Sequence, residues 1–119
     1  MASAKVFNRA TDPLPPERYA LVYTLMTLHH VPDTSKILRD FYALLEKPGY
    51  LCIADLDKED GSFHGPGFPG HKGFDRKALK DIAGDVGFRR VDFTTVYRMS
   101  RGLGGTLRDY PLFLMVAEK

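Results

Sequence analysis

Two short apolar segments with an amphipathic helix between them constrain the fold more than any other feature of this sequence. Residues 19–26 and 50–54 are nearly continuous runs of strand-forming residues. Such runs are typical of parallel strands that are covered on both faces. Apolar residues recur at helical spacing over residues 33–47, which end at a Pro–Gly pair. The order predicts a βαβ unit with parallel strands and a right-handed crossover.

The rest of the chain continues this alternation and then changes it. A second amphipathic helix is predicted over residues 75–86, beginning at an Asp N-cap, and we expect the two helices on opposite faces or adjacent edges of the sheet. Residues 91–99 alternate between polar and apolar, which favours an edge strand. The final run, residues 112–117, is continuously apolar and is predicted to be central. The predicted order is β-α-β-α-β-β, an α/β fold.

The N-terminal segment, residues 1–18, differs from the rest. It contains three prolines at its end and a weak strand pattern at residues 4–8, so we interpret it as a loop or short strand. Residues 19–119 then form the domain. A long glycine-rich loop is predicted over residues 57–74, and loops of this length are usually functional or disordered.

Composition excludes several classes of protein. The formal net charge is only +2 and the basic residues are dispersed, which argues against nucleic acid as a partner. No run reaches the length of a membrane span and no signal-peptide pattern is present, so we expect no membrane partner and a cytoplasmic location. The single cysteine, Cys52, lies within an apolar strand and is interpreted as a small buried hydrophobe.

Two segments carry a resemblance to a known family. Residues 21–31 read Leu-Val-Tyr-Thr-Leu-Met-Thr-Leu-His-His-Val, and residues 44–51 read Leu-Leu-Glu-Lys-Pro-Gly-Tyr-Leu. Together with residues 54–64 and the ending Tyr-Pro-Leu-Phe-Leu at 110–114, they resemble the C-terminal half of class I S-adenosylmethionine-dependent methyltransferases. The resemblance implies a truncated Rossmann-like sheet of four mixed strands, in the family order 4-5-7-6, with the last strand antiparallel and two main helices.

The same resemblance shows what this sequence lacks. In the family, a glycine-rich turn after the first strand and an acidic residue after the second hold S-adenosylmethionine. No G-x-G segment precedes Tyr19, and the first 18 residues leave no room for three earlier strands. We therefore expect a methyltransferase-family protein that is inactive by itself. If a partner restores activity, we expect the methyl acceptor to be a small molecule.

The resemblance also implies candidate site residues. The end of the fourth family strand would leave a residual wall of the cofactor cleft, formed by Thr24, Leu25, Met26, His29 and His30. The alternative is that the apolar residues are core and that the histidines hold the start of the helix.

The loop after the second apolar run would line the acceptor pocket in the family. It makes Asp57, Glu59 or His64 candidates for a general base. The same loop contains four suitable metal ligands: Asp57, Asp60, His64 and His71. An Asp-x-Asp pattern after a strand also suggests a small phosphate- or metal-handling enzyme that uses residues 55–71. Their spacing matches no standard framework, so a solvated loop without a metal is favoured.

The missing strands imply a partner. Strand 19–26 would have a bare, apolar edge, which invites pairing. We expect a homodimer through that edge, cover by residues 4–8, or a separate partner chain. A non-catalytic binding or scaffold subunit that dimerises through this strand is the alternative to a methyltransferase.

Overall fold

A mixed four-stranded sheet and two α-helices make up the part of the chain that the computed structural model describes, residues 16–63, 67–103 and 106–119. Along the chain the elements are β1 (Tyr19–Leu25), a short 3₁₀ turn (Leu28–His30), α1 (Thr34–Leu44), β2 (Leu45–Leu56), α2 (Arg76–Val86), β3 (Arg89–Leu103) and β4 (Thr106–Glu118). The α/β class and the element order predicted from the sequence are confirmed. Residues 4–8, the weak strand pattern, lie outside the described residues.

The strand order is β1-β2-β4-β3. β1 pairs with β2 in parallel, and β4 runs antiparallel to both of its neighbours, β2 and β3. This is the predicted order, with the last strand inserted between the second and third. The continuously apolar final strand is central, and the alternating strand before it lies at an edge, as their patterns indicated.

Both helices pack on the same face of the sheet, which corrects the expectation of opposite faces or adjacent edges. Ile37 of α1 and Leu79 of α2 belong to one buried cluster with Ile53 of β2 and Met115 of β4. The reason is the handedness of the crossovers. The connections β1–α1–β2 and β2–α2–β3 both join parallel strands and both move across the sheet in the same direction, so a right-handed path puts both helices on one side.

The opposite side of the sheet is exposed near β1. Leu21, Tyr23 and Leu25 alternate with inward-facing residues and are 53%, 69% and 64% exposed. On β2, Tyr50 is paired with Leu21, and Cys52 with Tyr23, so these side chains share that side. We call this surface the open face. The prediction that strand 19–26 is covered on both faces is therefore wrong for the part of the chain that is described.

The helix boundaries follow from local chemistry. Asp75 accepts a hydrogen bond from the Lys77 amide at 3.1 Å, so the predicted N-cap of the second helix is confirmed. The Asp33 carboxylate caps α1 in the same way and accepts from the Lys36 amide at 3.0 Å. Gly87, with φ of 126°, ends α2 in a conformation that disfavours side chains.

The first helix is shorter than the predicted span of residues 33–47. It ends at Leu44, because Leu45 turns into an extended conformation and starts β2. The Lys119 ammonium donates to the carbonyls of Tyr42 and Leu45 at 2.8 and 2.9 Å, which satisfies groups that a helix end leaves unpaired. A contact 74 residues away in sequence thus holds the end of α1.

Candidate functional site

The carboxyl ends of β1 and β2 lie side by side, because parallel strands finish at the same edge of a sheet. β1 ends at Leu25 and is followed by Met26, whose amide donates to the Ala54 carbonyl at 2.8 Å and whose φ of 52° is unusual for a residue with a side chain. The chain then turns through the 3₁₀ segment into α1. In open α/β sheets this edge is where ligands bind, so the site is built from the segments that follow β1 and β2.

A buried histidine–carboxylate pair joins these two segments. His29 Nδ1 lies 2.7 Å from Asp55 Oδ1, and the side chains are 2% and 0% exposed. The other carboxylate oxygen accepts from the His29 amide at 3.1 Å, and Oδ1 also accepts from the Leu56 amide at 2.7 Å. Since the carboxylate accepts every one of these bonds, His29 donates its Nδ1 proton. The pair fixes the turn after β1 to the end of β2.

The returning part of the long loop covers this pair. The His71 amide donates to the His29 carbonyl at 2.8 Å, and the ring Nε2 of His71 lies 2.9 Å from the Val31 carbonyl. A Cβ on Gly70 would lie 2.5 Å from the His29 carbonyl oxygen, so only glycine allows the loop this close. Phe68 presents its ring to His30 at 5.6 Å, edge to face.

The five residues of the predicted cleft wall differ in their burial and in the side of the sheet on which they lie. Thr24 pairs with the fully buried Ile53 and shares its side of the sheet, whereas Leu25 points to the open face. Met26 is half-buried against a small cluster that includes Phe63 of the long loop and Tyr110 of β4. His29 is buried, and His30 is exposed. Leu25 and His30 are thus the predicted wall residues that the structure presents to solvent.

The acidic residues after β2 already have partners. Asp57 accepts two hydrogen bonds from the Arg76 guanidinium, at 2.7 and 2.8 Å, and Arg76 also donates to the Thr95 hydroxyl at 2.8 Å. The Asp57 hydrogen bond raises the pKa of Arg76. Arg76 therefore ties the start of α2 to the segment after β2 and to β3.

Glu59 and Asp60 stabilise the turn that follows. One oxygen of Glu59 accepts from the amides of Gly61 and Phe63, at 2.7 and 3.2 Å. Asp60 accepts from the Ser62 amide at 2.9 Å and from Arg108 at 2.6 Å. Hydrogen bonds from Ser62, followed by those from Arg108, hold the pKa of Asp60 well below its usual range.

These contacts bear on the predicted acid–base and metal residues. Asp57 is paired with Arg76 of α2, Glu59 accepts from the loop backbone, and Asp60 accepts from both the loop backbone and Arg108. His64 lies outside the described residues. Within the described ranges, no group of three or more His, Cys, Asp or Glu side chains could hold a metal ion.

Two contacts were not predicted from the sequence: the buried pairing of Asp55 with His29 and the pairing of Arg76 with Asp57. Asp55 directly follows the apolar run of residues 50–54, and a carboxylate in such a position signals a buried partner. Arg76 is a cation in the first turn of a helix, where the helix dipole disfavours positive charge. That mismatch could have indicated a nearby carboxylate, although not which one.

The open mixed sheet, with β1 and β2 parallel and α1 crossing between them, defines the class as Rossmann-like α/β proteins. The methyltransferase domain family matches residues 2–92 of this sequence. The chain belongs to that family, and its fold corresponds to part of a class I S-adenosylmethionine-dependent methyltransferase, as the resemblance implied. No curated protein matches significantly.

Solved structures share this fold at low sequence identity. An S-adenosylmethionine-dependent methyltransferase from Thermotoga maritima, described as a possible histamine N-methyltransferase, superposes with a TM-score of 0.66 at 19% identity. One from Aquifex aeolicus gives 0.60 at 20% identity, and a chain from Bacillus halodurans gives 0.68 at 13%.

The similarity covers nearly all of this chain but only part of its neighbours. It spans 92%, 98% and 94% of this chain and 60%, 54% and 69% of the three neighbouring chains, in the same order. This chain thus covers little more than half of the first two. No helix in the described ranges is long and apolar enough to cross a membrane.

Proposed function

We propose that this chain supplies one wall of the cofactor cleft of an S-adenosylmethionine-dependent methyltransferase, and that it neither binds the cofactor nor transfers a methyl group unless further polypeptide supplies the other wall. The observation that carries the proposal is the position of β1. It is the outermost strand on its side of the described sheet, so its carboxyl end, at Leu25 and Met26, has a neighbour on one side only.

The described residues do not by themselves fit S-adenosylmethionine. A crevice at the strand ends needs loops from both sides, and a glycine-rich turn that lets the backbone approach the ligand. After β1, the described site offers a buried His29, an exposed His30 and the loop around Phe68. Of the candidate carboxylates, Asp57 accepts from Arg76 at both oxygens. Glu59 accepts from the loop backbone at one oxygen, and its other oxygen is buried without a hydrogen-bond partner among the described residues. One wall is present, and no chemical step follows from it.

The experiment is a calorimetric titration with S-adenosylmethionine. The chain alone should release no binding heat at millimolar ligand. Two fusions are then compared, in which the part of the Thermotoga maritima or Aquifex aeolicus chain that this chain does not cover is joined ahead of residue 1. At least one fusion should bind at micromolar ligand. Binding by the chain alone, or by neither folded fusion, would contradict the proposal.

A matched pair of variants locates the site within the fusion. His30→Ala, at the exposed turn after β1, should weaken binding roughly twofold to tenfold, the contribution of one hydrogen bond or ring contact. Ser100→Ala, on the outer part of β3, should leave the affinity unchanged. Equal effects from both variants would place the ligand elsewhere.

A second candidate, a non-catalytic scaffold that dimerises through β1, is favoured by the exposed apolar residues of that strand. Its supporting result would be a dimer mass in sedimentation together with slow amide exchange along residues 20–25. A monomer with rapid exchange there excludes it, because an edge strand that has gained a neighbour protects its amides.

A further inference from the structure

The last part of the long loop is firmly held where it reaches α2. Phe74 is buried in the main core, its amide donates to the Leu56 carbonyl, and its carbonyl accepts from the Lys58 amide, both at 2.9 Å. The Glu59 amide also donates to the Lys72 carbonyl at 2.9 Å. This end of the loop is therefore fixed to the segment that follows β2.

The residues just before this fixed end are packed differently. We call residues 67–71 the strap. None of them is buried, in contrast to Phe74. Segments with few buried apolar contacts open at a lower free-energy cost than the core to which they are joined. The strap is therefore expected to be less stable than the fixed end that follows it.

The strap covers His29. The His71 amide donates to the His29 carbonyl at 2.8 Å, and Gly70 approaches the same carbonyl so closely that a Cβ would lie 2.5 Å from its oxygen. The ring of Phe68 lies 6.1 Å from that of His29, measured between centroids. His29 is 2% exposed, although it belongs to the edge of the sheet where ligands of open α/β proteins bind. The strap thus helps to exclude solvent from a polar group at that edge.

The side chain of His71 joins the strap to the turn after β1 and to the start of α1. Its Nε2 lies 2.9 Å from the Val31 carbonyl and 3.5 Å from the Thr34 hydroxyl. Because a carbonyl can only accept, the ring donates its Nε2 proton to Val31. The ring also packs against Phe74, with 5.2 Å between the centroids. One side chain therefore connects the strap, the turn and the fixed end.

We infer that the strap is a lid, closed in this structure, which opens as a unit separate from the rest of the fold and controls access to His29. His71 is the latch of this lid. The control of ligand access rests on the proposed function, because His29 belongs to the same cleft wall. The opening itself does not depend on that function.

Amide hydrogen exchange of the whole chain at low urea concentrations tests the opening. The His71 amide should be protected about tenfold less than the Phe74 amide, or weaker still. Its rate should not change with urea, because a local opening exposes little new surface, whereas exchange at Phe74 should accelerate. Equal protection and equal urea dependence at the two amides would overturn the inference, since the strap would then open only with the whole fold.

A variant of His71 tests the latch. His71→Ala removes the ring hydrogen bond to Val31 and keeps the backbone bond, so protection of the residue 71 amide should fall about twofold to tenfold, the contribution of one hydrogen bond. Protection at Phe74 should not change. Lys72→Ala, at the exposed neighbouring residue, is the matched control and should change neither amide. Undiminished protection at residue 71, or an equal loss at Phe74, would contradict a latch.

The control of access is measured by stopped-flow mixing of S-adenosylmethionine with a fusion that binds it. His71→Ala should accelerate both association and dissociation about twofold to tenfold and change Kd by less than about twofold, because a weakened latch raises the open population and leaves the ligand contacts intact. Lys72→Ala should leave both rates unchanged. Unchanged rates in His71→Ala, with a strap that exchanges faster, would show that the strap controls no access.

Failure of the lid and failure of the proposed function give different results. If neither folded fusion binds S-adenosylmethionine, the proposed function is contradicted, and exchange in the chain itself still decides whether the strap opens as a unit. If a fusion binds and the His71 amide behaves as the Phe74 amide does, the proposed function stands and the lid is overturned.

Discussion

His29 Nδ1 lies 2.7 Å from Asp55 Oδ1, and both side chains are almost completely buried. The pair joins the turn after β1 to the end of β2, 26 residues further along the chain. Burying a carboxylate costs free energy unless its oxygens are hydrogen-bonded. Asp55 accepts hydrogen bonds from two backbone amides in addition to the bond from the His29 ring.

Replacement of Asp55 by Asn should destabilise the fold. Both carboxylate oxygens accept from amide or ring N–H donors, so an NH₂ group in either position faces a donor. The expected loss is about 1–3 kcal/mol in the free energy of unfolding, measured by urea denaturation. The control is Asp92→Asn on the exposed side of β3, expected to change stability by less than about 0.5 kcal/mol. An equal, small effect at both positions would show that the buried pair contributes nothing.

The Asp57–Arg76 pair should show measurable coupling. Its bidentate geometry is favourable, but the side chains are 23% and 32% exposed, so solvent weakens the interaction. A double-mutant cycle with Asp57→Asn and Arg76→Gln should give a coupling of about 1 kcal/mol that falls at high salt. The same cycle on the exposed Lys36–Asp40 pair of α1 should give no more than about 0.5 kcal/mol. Similar couplings for the two pairs would contradict this ranking.

The contribution of Asp60 should depend on pH. Its pKa in the folded chain is lowered from 3.8, first by the hydrogen bonds from Ser62 and then by Arg108, so the ionised form is the one that favours folding. Its contribution is therefore present above about pH 4 and is lost as pH falls below that value towards the folded pKa.

Denaturation of the wild type and of Asp60→Asn at neutral pH and near pH 2 measures this. The stability difference between the two should be positive at neutral pH and should shrink in acid. It should also shrink at neutral pH in a Ser62→Ala background. A difference that is the same at both pH values would be incompatible with a lowered pKa.

Replacing glycine by alanine should loosen the loop at Gly70 but stabilise the protein at Gly84. A Cβ at Gly70 would lie 2.5 Å from the His29 carbonyl oxygen, so Gly70→Ala should push the loop away and speed amide exchange at His71. At Gly84, in the middle of α2, a Cβ would meet nothing within 4 Å. Gly84→Ala should therefore stabilise the protein by about 0.5–1 kcal/mol, measured by denaturation. Unchanged exchange at His71 in Gly70→Ala would show that the loop is not closely packed.

Part of the candidate site was predictable and part was not. The turn containing His29 and His30 could be located from the Leu-His-His-Val segment, because strand and helix patterns bracket it. His29 points inward because it pairs with Asp55, and His30 points outward. Local sequence patterns do not predict a contact between residues that are 26 positions apart. Likewise, the acidic run after β2 was visible, but the assignment of Asp57 to Arg76 required the path of the long loop.

The sequence by itself determined the elements, their order and the family, because strand and helix periods, caps and the apolar final strand are local properties of the chain. It also determined that the last strand is central. Only the tertiary structure decided which carboxylates are occupied, that both helices share one face, and that Tyr23 and its neighbours face outward. Those properties arise from contacts between residues far apart in sequence, and from the handedness of the crossovers that bring them together.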